Sequence, residues 1–120
     1  KTPPPQTKVT VKYDPNNHTT KQVNRFKQVE LDANSYYNSP RLESYSGSSL
    51  RHMNVYETRL KSYIDIDTYA RIRAEVFGDK DSVTANELQT YIDNLDYDTE
   101  VKEALFEAIG EEGWENPYEE

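Results

Sequence analysis

The tetrapeptide Thr84-Ala85-Asn86-Glu87 constrains this chain more than any other. A threonine followed three residues later by glutamate forms a capping box: its hydroxyl accepts from the amide three residues on, and the carboxylate reaches back to the threonine amide. Leu88, Tyr91, Ile92 and Leu95 follow at positions i, i+3, i+4 and i+7, a full apolar stripe on one helix face. The same grammar recurs on both sides. Asp96–Thr99 makes a turn and cap before Val101, Ala104, Leu105, Ala108 and Ile109, and Gly110 ends that stripe. Upstream, Asp65 or Asp67 caps a helix carrying Tyr69, Ile72 and Val76, with Gly78 placed where a left-handed residue is needed. Leu50, Met53, Tyr56 and Leu60 recur at helical steps behind Ser48 or Ser49. Segments this short cannot stand alone in water, so they must bury their stripes against one another. The reading is a mainly α chain, with a C-terminal bundle of three to four short helices over 50–110 and an acidic, aromatic tail over 111–120. Trp114, Pro117 and Tyr118 of that tail could fold back over the bundle.

The first 49 residues lack this grammar. Residues 1–7, with Pro3, Pro4 and Pro5, look like the end of a stiff linker. Because the chain opens on Lys1 and its only methionine is Met53, the expectation is that it was trimmed or is a piece of something longer. Lys8-Val9-Thr10-Val11-Lys12-Tyr13 alternates polar and apolar, the period of a half-buried strand, and Asp14-Pro15-Asn16-Asn17 supplies turn chemistry. Residues 8–49 therefore read as an extended arm with a β-hairpin as one outcome. Its second strand would fall in 19–31, where a helix is nearly as well supported. Residues 32–49 read as a Tyr/Ser/Asn-rich connector.

Charge divides the chain the same way. Residues 1–62 carry ten Lys/Arg against five Asp/Glu, and residues 63–120 carry four against seventeen, so a net +5 faces a net −13. Such a dipole suits docking of a basic arm on an acidic neighbour, or it serves as a solvated acidic surface. The sign disfavours nucleic-acid binding by the second half. Ten tyrosines is a high count, and tyrosine is enriched at interfaces. The candidate protein contacts are Lys8, Lys12, Lys21, Arg25 and Lys27 on the basic side, with Tyr13, Tyr36, Tyr37, Tyr45 and Trp114 as aromatic anchors.

The chemistry-bearing patterns are thin. With no cysteine there is no disulfide, thiol nucleophile or thiolate-held metal, which fits a reducing compartment. Asp79-Lys80-Asp81 ahead of Glu87 has the look of a calcium loop, but counting back from Glu87 as the twelfth position puts Val76 first and Gly78 third, where oxygen ligands belong. Asp65-Ile66-Asp67-Thr68 falls one residue short of an aspartate phosphotransferase motif and reads as a helix cap. His18 and His52 have no companion ligand at metal spacing and are expected to be exposed polar residues. Asn17-His18-Thr19 fits a glycosylation acceptor, a pattern frequent by chance. No catalytic residue, metal or cofactor is assigned. No apolar run approaches the length of a membrane span and no basic-then-apolar leader opens the chain, so a soluble protein is expected.

Ile64-Asp65-Ile66-Asp67-Thr68-Tyr69, then Gly78-Asp79-Lys80-Asp81, then Val83–Leu95, Lys102–Phe106 and the closing Trp114-Glu115-Asn116-Pro117-Tyr118 make up a pattern over residues 64–118. It resembles helical segments near the ends of virion-associated and prophage structural proteins of Gram-positive bacteria. Members often carry a glycine in the loop after the Asp-Lys-Asp, which this chain lacks. The resemblance implies a non-enzymatic structural or connector component of a tailed-phage or prophage virion, assembled in the host cytoplasm. Its partners would be other virion subunits or further copies of itself. Two other readings stay open: a secreted or cell-surface interaction module on a proline linker, and an acidic inhibitor that imitates DNA.

Overall fold

A computed structural model describes residues 8–38 and 50–119. Among them are five α-helices and no strand: α1 (Thr20–Tyr37), α2 (Arg51–Val55), α3 (Ile66–Phe77), α4 (Ala85–Asp93) and α5 (Thr99–Ile109). A π-helical turn, Tyr56–Leu60, continues α2. None of these helices is long and apolar enough to cross a membrane.

The hairpin is replaced by a helix. The turn forms as the sequence suggests, with the Asn16 amide on Asp14 Oδ1 and the Asn17 amide on the Asp14 carbonyl, each at 3.0 Å. It then feeds a second capping box. The Gln22 amide donates to Thr19 Oγ1 at 3.2 Å and the Thr19 amide donates to Gln22 Oε1 at 3.0 Å. The 18 residues that follow bury Phe26, Val29 and Ala33, one helix face, and leave Leu31 exposed. Residues 8–49 are thus not an arm that is extended throughout.

The alternation in Lys8–Tyr13 nevertheless carries information. Val9 is half-buried and Val11 is buried, while Lys8, Thr10 and Lys12 face outward. What it lies along is a pair of helices instead of a strand. The Val9 amide donates to Asn34 Oδ1 at 2.7 Å, and Asn34 Nδ2 donates to the Val9 carbonyl at 3.1 Å. The Val11 amide reaches Glu30 Oε2 at 3.1 Å and the Lys12 amide reaches Asp67 Oδ1 at 2.8 Å. Side-chain acceptors on α1 and α3 satisfy backbone donors that a sheet would otherwise have taken.

The capped helices follow the sequence closely. Asp65 caps α3, its carboxylate accepting from the Thr68 amide at 2.9 Å, and Gly78 closes that helix at φ 59°, a conformation open to glycine at no steric cost. Thr84 and Glu87 form the capping box of α4. Ser48 and Ser49 lie outside the described residues; Leu50 stands at the α2 N-cap. In the π-turn the Lys61 amide donates to the Tyr56 carbonyl at 2.8 Å, and both Tyr56 and Leu60 are buried.

One apolar core joins the helices: Phe26, Met53, Leu60, Tyr69, Leu88, Ile92 and Leu105 are all fully covered. α1 packs along α3, while α5 packs against α2, its π-turn and α4. The tail folds back onto α5. Trp114 and Tyr118 both meet Phe106, with ring centroids 6.0 and 6.3 Å away, and Asn116 Nδ2 donates to the Glu103 carbonyl at 2.9 Å. Gly110 ends α5 in extended backbone at φ −71°, so its lack of a side chain answers a packing need. A Cβ there would lie 2.7 Å from the Phe106 carbonyl oxygen and 2.9 Å from Trp114 Cε3.

Candidate functional site

Two features of the folded chain bear on function: a buried chain of polar groups between α1, α2 and α3, and the charged surface outside it.

The buried chain centres on His52, which is covered and not exposed as its sequence context suggested. Helix α2 points its ring between α1 and α3. Its Nε2 lies 2.8 Å from Asp32 Oδ2 and its Nδ1 lies 2.9 Å from the Tyr69 hydroxyl. Gln28 Nε2 donates to the other Asp32 oxygen at 2.9 Å. As a carboxylate Asp32 only accepts, so Nε2 carries the imidazole proton and Nδ1 accepts from Tyr69. Burial, then the Arg73 charge, pushes the His52 pKa down to about 4 against the opposing bond to Asp32. Burial likewise raises the Tyr69 phenol.

An Asp-His-hydroxyl chain has the order of a nucleophile relay. Here the hydroxyl belongs to Tyr69, which is fully buried. The network satisfies the polar groups of three buried side chains, Asp32, His52 and Tyr69, and exposed Gln28 closes its outer end. Sequence reading missed it because its members lie 17 and 20 residues apart on different helices. The available signal was Asp32, an acid on the otherwise apolar face of α1 beside Val29 and Ala33.

No family model, curated protein or solved structure matches the chain.

On the surface, several candidate contacts are engaged within the chain itself. Lys21 Nζ pairs with Asp81 at 3.0 Å. The Arg25 guanidinium stacks over Phe77, 3.8 Å from the ring centroid, and donates to the Lys80 and Asp81 carbonyls at 2.8 and 3.2 Å. α1 thus brings its basic residues to the loop after α3, and the dipole closes partly on itself. Tyr36 donates to Asn54 Oδ1 at 3.1 Å and Tyr37 to Glu57, while Trp114 covers Phe106. Tyr13 remains 42% exposed, and Lys8, Lys12 and Lys27 point to solvent. Tyr45 lies outside the described residues.

Glu87, the would-be calcium ligand, is fully committed. Its Oε1 accepts from the Thr84 amide at 3.0 Å and its Oε2 from Lys80 Nζ at 2.7 Å; these bonds, the Lys80 one first, hold its pKa at about 2. Among the described residues no group of three or more His, Asp or Glu is arranged to hold a metal ion. The C-terminal stretch is strongly acidic. Residues 93–119 hold ten Asp/Glu against the single cation Lys102. Arg59 crosses from the π-turn to Glu103 at 3.5 Å and to Glu107, while Asp96, Asp98, Glu111, Glu115 and Glu119 are exposed.

Proposed function

We propose that this chain is a non-enzymatic structural or connector module of a bacteriophage or prophage particle, which binds neighbouring virion subunits through the acidic surface of α5 and the tail. The observation that carries the reading is the disposition of charge. The basic residues Lys21 and Arg25 are spent on the Lys80–Asp81 loop, so they do not neutralise the acids of residues 93–119. Arg59 pairs with Glu103 and Glu107, but ten acids still face few cations, and a helical body that displays an excess of one sign suits steering and docking on a basic surface. Trp114 stiffens that surface by pinning the tail to α5. The pattern over residues 64–118 supplies the particle setting, with further copies of this chain as the other partner class.

Co-purification with candidate particle subunits tests this. The expected result is a complex that weakens as salt rises and that Glu111→Lys with Glu115→Lys weakens further. A chain that stays monomeric and ignores those subunits at low salt would count against it. The same acidic surface favours one second reading, an inhibitor that imitates DNA. Salt-sensitive binding to a basic DNA-binding enzyme, displaced by duplex DNA, would decide for it.

A further inference from the structure

A depression of about 340 Å³ opens where α1, α2 and α3 meet the end of α5. Its polar lining is Gln28, Asp32, Arg51, His52 and Arg73, which makes it cationic in a chain of net charge −8. Neither arginine makes an ion pair with a carboxylate of the described residues, although Asp and Glu number 22. Arg51 Nη2 donates to the Gly110 carbonyl at 2.7 Å, and Arg73 Nη1 contacts the Ala108 carbonyl and the Tyr69 hydroxyl at 3.4 and 3.5 Å. These bonds cap the C-terminal carbonyls of α5, a structural role that uses only part of two donor forks. Each guanidinium has five N–H groups in a plane matched to oxyanion geometry. The one carboxylate in the depression, Asp32, is already bonded to Gln28 and His52. The arginines are fixed in place by the helix end they cap, so little side-chain entropy is lost when a ligand takes the remaining donors.

We propose that this depression is an anion site, in which Arg51 and Arg73 together hold a phosphate group. Two forks from two helices satisfy more oxygens than a carboxylate offers, and the volume leaves room for what the phosphate is attached to. Arg51 also borders the neighbouring depression lined by Glu103, Glu107, Glu111 and Glu112, so the site adjoins the acidic surface, yet the phosphate it would hold does not depend on the assembly role.

The test is a titration of the full chain with inorganic phosphate, and in a second arm with glycerol phosphate, at constant ionic strength near neutral pH. The readouts are the His52 Hε1 and arginine Nε–H resonances. Saturable movement with a millimolar Kd is expected in the wild type, at least tenfold weaker in Arg51→Gln and in Arg73→Gln, and unchanged in Arg59→Gln, which lies outside the depression. Arg51→Lys keeps a cation that can reach the Gly110 carbonyl and loses the fork; its binding should fall while its fold, followed by circular dichroism, is kept. Tighter binding of glycerol phosphate assigns the site to phosphomonoesters, and tighter binding of inorganic phosphate assigns it to the free ion. Failure of the wild-type resonances to saturate with either anion, or equal binding by the Arg51→Lys chain, overturns the proposal.

Discussion

Acidification should weaken this protein through His52 before its carboxylates begin to protonate. The imidazole has an ordinary pKa of 6.5 and is held at about 4 in the folded chain. Between those values the unfolded chain binds a proton that the folded chain refuses, so stability rises with pH across this window and falls as pH is lowered through it. A shift of this size corresponds to about 3 kcal/mol in full, of which about 2 kcal/mol is already lost by pH ~5. For a domain stabilised by roughly 5–15 kcal/mol this is a large fraction. Asp65, Asp81 and Glu87 are shifted downward, so their contributions are lost only at lower pH. The assay is urea unfolding followed by Trp114 fluorescence at several pH values from above neutrality to about 5. The companion measurement is an NMR titration of the two imidazoles, with His18→Gln to assign them. In His52→Gln the amide replaces the ring and the slope over this window should flatten. A His52 pKa near 6.5, or equal slopes in wild type and variant, would refute the reasoning.

Gly110→Ala should cost about 1–3 kcal/mol and shift Trp114 emission to the red, because the new methyl meets the Phe106 carbonyl and the indole at 2.7 and 2.9 Å; unchanged emission would mean the tail is not seated on α5. Phe26→Ala should cost about 3–5 kcal/mol in urea unfolding, since the ring is fully buried on α1, and a loss below about 1 kcal/mol would mean α1 is not part of the core. Thr19→Ala should cost about 1 kcal/mol by removing the acceptor of the Gln22 amide, measured by the same method; a null effect would place the start of α1 elsewhere. Lys21→Ala should be nearly silent, within about 0.5 kcal/mol, because its pair with Asp81 is solvent-exposed. Arg25→Ala should cost more in the same assay, through its stacking on Phe77.

What the sequence disclosed, and what it did not, divides by range. α3 and α4 were legible because their caps and stripes are local, with Asp65 to Thr68, Thr84 to Glu87, and Leu88 to Ile92 each within a turn or so; α5 was legible from its stripe, since Asp98 stands at its N-cap without a side-chain bond to the helix. α1 carried the same signal in Thr19 and Gln22. It was obscured by the alternation ahead of it, since period-2 burial reports that one side of a segment is covered and not what covers it. Val9 and Val11 are covered by helices, so the expected second strand was not required. His52 was out of reach for a different reason. Its burial follows from the packing of α1 on α3, which no local pattern around it encodes.

The π-turn at Tyr56–Leu60 is in effect a phase shifter. One extra residue in a helical turn rotates everything beyond it by about 100° relative to what precedes it. Upstream, His52 reaches Asp32 of α1 and Tyr69 of α3; Leu60 is buried within the turn, and beyond it the Ile64 carbonyl accepts from the Tyr56 hydroxyl at 2.9 Å. A uniform α-helix would already put Met53, Tyr56 and Leu60 on one face, so what the extra residue re-aims is the chain that follows Leu60. Because α5 packs on both α2 and the turn, the defect leaves that shared contact in place and changes the direction in which the chain departs toward Ile64 and the cap of α3.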